Sequence, residues 1–224
     1  MIVKTEELVS VAEKRDRAVA RPAPLVRHLG LAGYAATYEA MRGFTAERGT
    51  TTADELWVLE HPPVYTAGIA ARSEHFPRTS KVPLVRTDRG GQITYHGPGQ
   101  AIVYALVDLE RRALTVRGMV ALIEQAVVNV LAEQDVAAER KPGAPGVYVG
   151  GAKIAALGLR VRRGCCYHGV ALNVDVDLAP FSDIDPCGYP GLAVTRTSDR
   201  GITAGVEELG SALARGISRL LESR

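Results

Sequence analysis

A thiol in a turn invites a chemical question. Cys187 lies in DIDPCGYPG, Asp183 to Gly191, among turn-forming residues just beyond a strand-like run. A structural cysteine is a small hydrophobe, at home inside a strand or helix. A nucleophilic one needs partial exposure, a cation to hold it as thiolate and a rigid loop to aim it. Gly188, next in the chain, leaves an unobstructed backbone N–H that could serve an oxyanion.

Three other stretches offer partners. RGGQITYHGPGQ, Arg89 to Gln100, carries four glycines that allow close backbone approach or unusual turns. Its Arg89, Tyr95, His96 and Gln100 could orient a carbonyl, and the plainer alternative is a pair of hairpin turns. GVYVGGAKIAALG, Gly146 to Gly158, has nearly the spacing of a phosphate loop, but Ala152 stands where the lysine belongs and Ile154 follows Lys153. Lys153 therefore either snorkels from a strand edge or sits desolvated, as a base or as the cation beside a thiolate. RRGCCYHGVALNV offers Cys165, Cys166 and His168. Adjacent strand residues face opposite ways, so the two thiols do not suit one metal, and zinc ligation with Cys187 and His96 would need a non-standard spacing. His168 is either a partner for Cys187 or a satisfied core histidine.

These residues need a scaffold. The composition of Leu31–Gly49 predicts a helix, and ELWVLEH a buried strand stopped by Pro62 and Pro63. VPLVRTDRGGQITYHGPGQAIVYALVDL reads as three strands broken at Gly90–Gly91 and at Gly97–Gly99. Met119, Leu122, Ile123, Ala126, Val127, Val130 and Leu131 recur at helical spacing, as do Val206, Leu209, Leu213, Ile217, Leu220 and Leu221. A second β-rich block, Val147 to Leu178, has Arg163–Gly164 as its hairpin turn. The pattern predicts an α+β, two-layer domain with one core and a mixed, mostly antiparallel sheet flanked by helices. Residues 1–24 read as a polar extension and 25–224 as the domain.

Bulk properties narrow the classes. A net charge of +2 over 224 residues, with acids and bases mixed, leaves no nucleic-acid footprint. Three cysteines without paired spacing suit a reducing cytoplasm better than a disulfide framework. No apolar run approaches a membrane span, and the N-terminus lacks a secretory h-region.

Taken in order, LEHPPVYTAG, RGGQITYHGPGQ, GGAKIAALGLRVRRG, HGVALNVDVDL and PCGYPG resemble the lipoyl(octanoyl) transferases, the octanoyl-[acyl-carrier-protein]:protein N-octanoyltransferases. The resemblance runs from about Leu25 to Gly191. It implies a fold similar to the catalytic module of biotin and lipoate–protein ligases. It also implies Cys187 as acyl-thioester nucleophile, with Lys153 as its partner and general base. By the same resemblance Arg89, Gly90, Gly91, Gln92, Ile93, Thr94, Tyr95 and His96 line the acyl site, with Ala156, Leu157, Gly158, Gly169, Val170 and Ala171. The expected donor is octanoyl-acyl carrier protein. The expected acceptors are lipoyl domains of 2-oxoacid dehydrogenase complexes and the glycine cleavage H protein, with no ATP, metal or other cofactor. Cys166 and Tyr167 depart from the family pattern, where Ser and Phe are common.

Overall fold

The computed structural model describes residues 22–77, 80–185 and 191–223. Cys187 and most of the predicted N-terminal extension lie outside them. Among the described residues, ten strands form two sheets. The larger uses β1 (Leu25–Leu31), β2 (Glu55–Glu60), β6 (Gln100–Asp108), β7 (Glu139–Lys141), β8 (Ala144–Val149), β9 (Ala152–Arg162) and β10 (Cys165–Asn173). Their order is β1-β2-β6-β10-β9-β8-β7. Only β1 and β2 pair in parallel within it. The smaller sheet has β3 (Val64–Ala67) between β4 (Leu84–Arg86) and β5 (Ile93–His96).

Strands β6 and β10 are apolar almost throughout because the larger sheet is covered on both faces at its centre. Val103, Ala105 and Val107 meet helices α2 (Val116–Ala132) and α3 (Val206–Glu222) in the main core. Ile102, Tyr104 and Leu106, alternating with them, share the opposite face with Met41 of α1 (Tyr34–Glu47). A third cluster, including Tyr65, Ile93, Tyr95 and Phe181, packs under the smaller sheet.

Both predicted amphipathic helices form, and the hairpin turn falls at Arg163 and Gly164, whose φ values are +50° and +75°. The near-phosphate loop is a second tight hairpin: Gly150 and Gly151, at φ +56° and +82°, join β8 to β9. Strands β1, β3 and β7, which the sequence pattern does not mark, are short or at an edge. Pro22 already belongs to the fold, since its carbonyl accepts a 2.6 Å bond from Arg112 Nη2.

Candidate active site

A cavity opens between the two sheets. The Arg89–Gln92 turn and β5 bound it on one side, β6, β9 and β10 on the other, and Tyr34 of α1 completes the wall. It holds about 510 Å³ of atom-free space, the solvent at its mouth included. The sequence makes this room with small residues. Gly158 pairs with Gly169 and Ala156 with Ala171 across β9 and β10, so the ladder presents almost no side chain there. The lining is correspondingly apolar, which suits a hydrocarbon chain.

These glycines also let elements come close. Gly90 N–H donates to Leu159 O at 2.9 Å, and a Cβ on Gly158 would stand 2.8 Å from Gly90 O. On the other edge of β10, a Cβ on Gly169 would stand 2.0 Å from Val103 O. Alanine at either position would have to displace backbone.

Arg89 is buried and holds the turn. It donates to Thr66 Oγ1 from Nη2 at 2.9 Å and from Nε at 3.2 Å, and to Gly90 O from Nη1 at 2.9 Å. Three buried histidines surround the cavity. His61 donates from Nδ1 to Ala32 O at 2.6 Å and accepts from the Tyr104 hydroxyl at 2.7 Å. His96 lies 3.0 Å from Gln100 Oε1 through Nδ1. Burial above all, then the charges of His61 and Arg89, push the His96 pKa down to about 3. Burial lowers those of His61 and His168 as well, against the hydrogen bonds they donate to Ala32 O and the Asp88 carboxylate respectively.

His168, read from the sequence as either a partner for Cys187 or a satisfied core histidine, has a carboxylate partner of its own, while Cys187 lies outside the described residues. The His168 backbone has φ +63° inside a strand, and its Nε2 meets Asp88 Oδ1 at 3.1 Å. The Tyr167 hydroxyl donates to the other carboxylate oxygen, and the two rings stack. Burial alone would raise the Asp88 pKa, but bonds from His168, Tyr167 and Tyr38 hold it well below the usual carboxylate range.

Lys153 does not snorkel. It is only 3% exposed, and its Nζ donates to Pro145 O at 3.0 Å and sits 5.3 Å from the centre of the Tyr148 ring. Gly146 makes space for it: a Cβ there would lie 3.0 Å from Lys153 Cε. Lys153 lines a second cleft with Gly90 and Pro145, and this cleft shares Gly91, Gln92, Leu157 and Gly158 with the cavity. Beyond β9, Lys153 N–H donates to Ala193 O at 2.8 Å and Thr195 N–H donates to Lys153 O at 2.9 Å. The chain that follows Cys187 is thus stitched to Lys153 at Ala193 and Thr195. Before Cys187, Asp185 meets His75 Nδ1 at 2.8 Å.

The structure brings twelve of the resemblance-implied acyl-site residues to the cavity wall: Arg89, Gly91, Gln92, Ile93, Thr94, His96, Ala156, Leu157, Gly158, Gly169, Val170 and Ala171. Gly90 lines the adjoining cleft. Tyr95 faces away, its ring 5.5 Å from that of Tyr65 and 5.6 Å from that of Phe181. Tyr34, Ile102, Tyr104 and His168 also line the cavity. In sequence, Ile102 and Tyr104 are indistinguishable from the core residues alternating with them. Tyr34 is one of two tyrosines in an ordinary helix, so no local signal marks it.

This arrangement of sheets and helices is that of the lipoate and biotin ligase folds. The chain superposes on a crystal structure of lipoate-protein ligase A bound with ATP at a TM-score of 0.73, with 19% identity, covering 89% of this chain and 86% of that one. On biotin protein ligase from Aquifex aeolicus in complex with biotin and ATP the TM-score is 0.58, with 15% identity over 89% of this chain and 71% of that one. These matches define the fold alone. At the level of sequence, residues 34–218 match the family described as lipoyl protein ligase A/B catalytic domain. An octanoyltransferase from Aromatoleum aromaticum is 57% identical over 215 residues, covering 96% of this chain and 93% of the relative. The chain belongs to the lipoyl protein ligase A/B catalytic family and, within it, to the octanoyltransferases; it is an acyltransferase.

Proposed function

We propose that the protein moves an octanoyl group from octanoyl-acyl carrier protein to a lysine of a lipoyl domain through a thioester on Cys187, with the cavity holding the acyl chain. In the first half-reaction the Cys187 thiolate, beside the Lys153 ammonium, attacks the donor carbonyl. A C–S bond to Cys187 forms, the C–S bond to the carrier's phosphopantetheine breaks, and the carrier thiolate leaves with the proton of the Lys153 ammonium, which becomes a neutral amine. In the second, the ε-amine of the acceptor lysine attacks the thioester. The C–N bond forms, the Cys187 thiolate departs, and Lys153 receives the amine proton as general base. A thioester is higher in energy than the amide it becomes, so the sequence of steps draws on no nucleotide. Lipoyl domains of 2-oxoacid dehydrogenases and the glycine cleavage H protein fit as acceptors because they present that lysine.

The observation that carries this reading is Lys153, a buried lysine at the junction of the apolar cavity and an open cleft, bonded through its main chain to the segment that follows Cys187. A binding module would need no such lysine. The other two thiols support the assignment by their chemistry. Burial pushes the Cys165 thiol up and the Cys166 thiol up to about 12, and Cys166 Sγ donates to Ala105 O at 3.4 Å. Both are poor nucleophiles at neutral pH. Cys187→Ala tests the reading: transfer should vanish, with the unfolding midpoint unchanged, while transfer persisting in that variant would remove Cys187 from the chemistry.

A further inference from the structure

A chain of hydrogen bonds with one polarity connects the cavity to Lys153. It begins at Arg89, whose Nη2 donates to Thr66 Oγ1 at 2.9 Å. With its oxygen taken, the Thr66 hydroxyl proton is left for His96 Nε2, 3.3 Å away. His96 is neutral, since its pKa is pushed down to about 3, so one ring nitrogen accepts and the other donates. Gln100 fixes which. Its Nε2 faces two oxygens, Tyr95 O at 3.2 Å and Asn173 Oδ1 at 3.0 Å, so its Oε1 faces His96 Nδ1 and receives that proton. Asn173 Oδ1 accepts, and its Nδ2 donates to Thr195 O at 2.9 Å. Thr195 N–H closes the chain on Lys153 O at 2.9 Å.

From the guanidinium on the cavity wall to Thr195 O every link donates in the same direction, and the main chain of Thr195 carries the connection on to the lysine carbonyl. Aligned bonds of this kind polarise one another, and no member can turn without opposing its neighbours. Arg89 and His96 line the cavity, whereas Gln100 and Asn173 are buried outside it. We propose that Gln100 and Asn173 are positioning residues that couple the seating of the acyl chain against Arg89 and His96 to the placement of Lys153 and of the segment Ala193–Thr195 after Cys187. The proposal rests on the cavity being the acyl site. Its consequence is chain-length discrimination in the rate of acylation: a chain long enough to press on Arg89 and His96 steadies the relay, and a short one does not.

Two near-isosteric variants cut the relay at different links. Gln100→Glu keeps an acceptor for His96 but loses the donor to Asn173. Asn173→Asp sets an oxygen against Thr195 O. Thr197→Val is the control, removing a buried 3.1 Å bond to Val174 O nearby but outside the relay. Single-turnover acylation of Cys187 is measured on the full chain with octanoyl- and butanoyl-carrier protein, alongside thermal midpoints. Each relay variant should slow octanoyl acylation by about ten- to hundredfold, the range for one broken buried hydrogen bond with an oxygen left unpaired. The ratio of octanoyl to butanoyl rates should fall toward one, and the double variant should be no slower than the worse single. Thr197→Val should match the wild type. A wild-type octanoyl-to-butanoyl ratio in both relay variants, or equal slowing in Thr197→Val, overturns the relay. A wild-type enzyme that takes no acyl group on Cys187 overturns the acyl-site reading instead.

Discussion

Lowering the pH from 7 to 5 should destabilise this fold by about 2 kcal/mol through His96 alone. Its side chain is enclosed by His61, Tyr34, Arg89 and Gln100, and its pKa is pushed from 6.5 down to about 3. Between those values the unfolded chain holds a proton that the folded one excludes. The stability this withholds is therefore fully present above pH 6.5 and drains away as pH falls toward 3. A pH of 5 lies about 1.5 units into the window, at about 1.4 kcal/mol per unit, which gives the 2 kcal/mol. His61 and His168 are shifted in the same direction and steepen the decline. Asp88 and Asp54 are held below the ordinary carboxylate range and contribute only at lower pH. Urea unfolding at pH 7, 6 and 5 at fixed ionic strength reads the slope, and His96→Gln should flatten it by about 2 kcal/mol over the range. Stability that is level or rises between pH 7 and 5, or a slope unaltered in His96→Gln, would refute the buried neutral ring.

Lys153→Arg keeps a cation but no usable base, so it should still acylate Cys187 and stall before transfer to a lipoyl domain, while Lys153→Ala slows both steps; normal second-step rates in Lys153→Arg would exclude the base role. Ala171→Leu, filling the small-residue ladder, should shift preference from octanoyl toward shorter donors, and an unaltered preference would place the chain elsewhere. Asp54 receives Arg48, Arg111 and Arg112 at 2.6, 2.6 and 2.8 Å, so Asp54→Asn should lower unfolding free energy by about 3 kcal/mol; a loss below about 1 kcal/mol would show the cluster to be solvated. Reversing the charges of Arg160, Arg162 and Arg163, near the β9–β10 turn, should raise KM for the acidic carrier and flatten its salt dependence, whereas an unchanged KM across a salt series would take them out of the interface.

What was legible in the sequence follows from where the signal is local. The periodicity around Met119–Leu131 and Val206–Leu221 specifies helices because one face must be buried over several turns. Arg163–Gly164 marks a hairpin because the turn requires positive φ at both positions. The glycines of RGGQITYHGPGQ and the lysine of GGAKIAALG stood out by being odd in their settings. Neither a strand of three residues such as β4 nor the exposed β1 leaves such a mark, because its pairing comes from partners distant in the chain. The relay was equally hidden. Thr66, Gln100, Asn173 and Thr195 lie on separate segments, and the pairing of β3 with β5, of β6 with β10 at Gln100 and Asn173, and the run of Ala193–Thr195 along β9 bring them into one line.

The thioester on Cys187 can be observed by intact mass. The protein is mixed with octanoyl-acyl carrier protein alone, without acceptor, ATP or metal, and then digested. A hydroxylamine-labile octanoyl adduct should form on the peptide carrying Cys187 and be lost on addition of a lipoyl domain. No adduct, or one confined to Cys165 or Cys166, would contradict the thioester on Cys187.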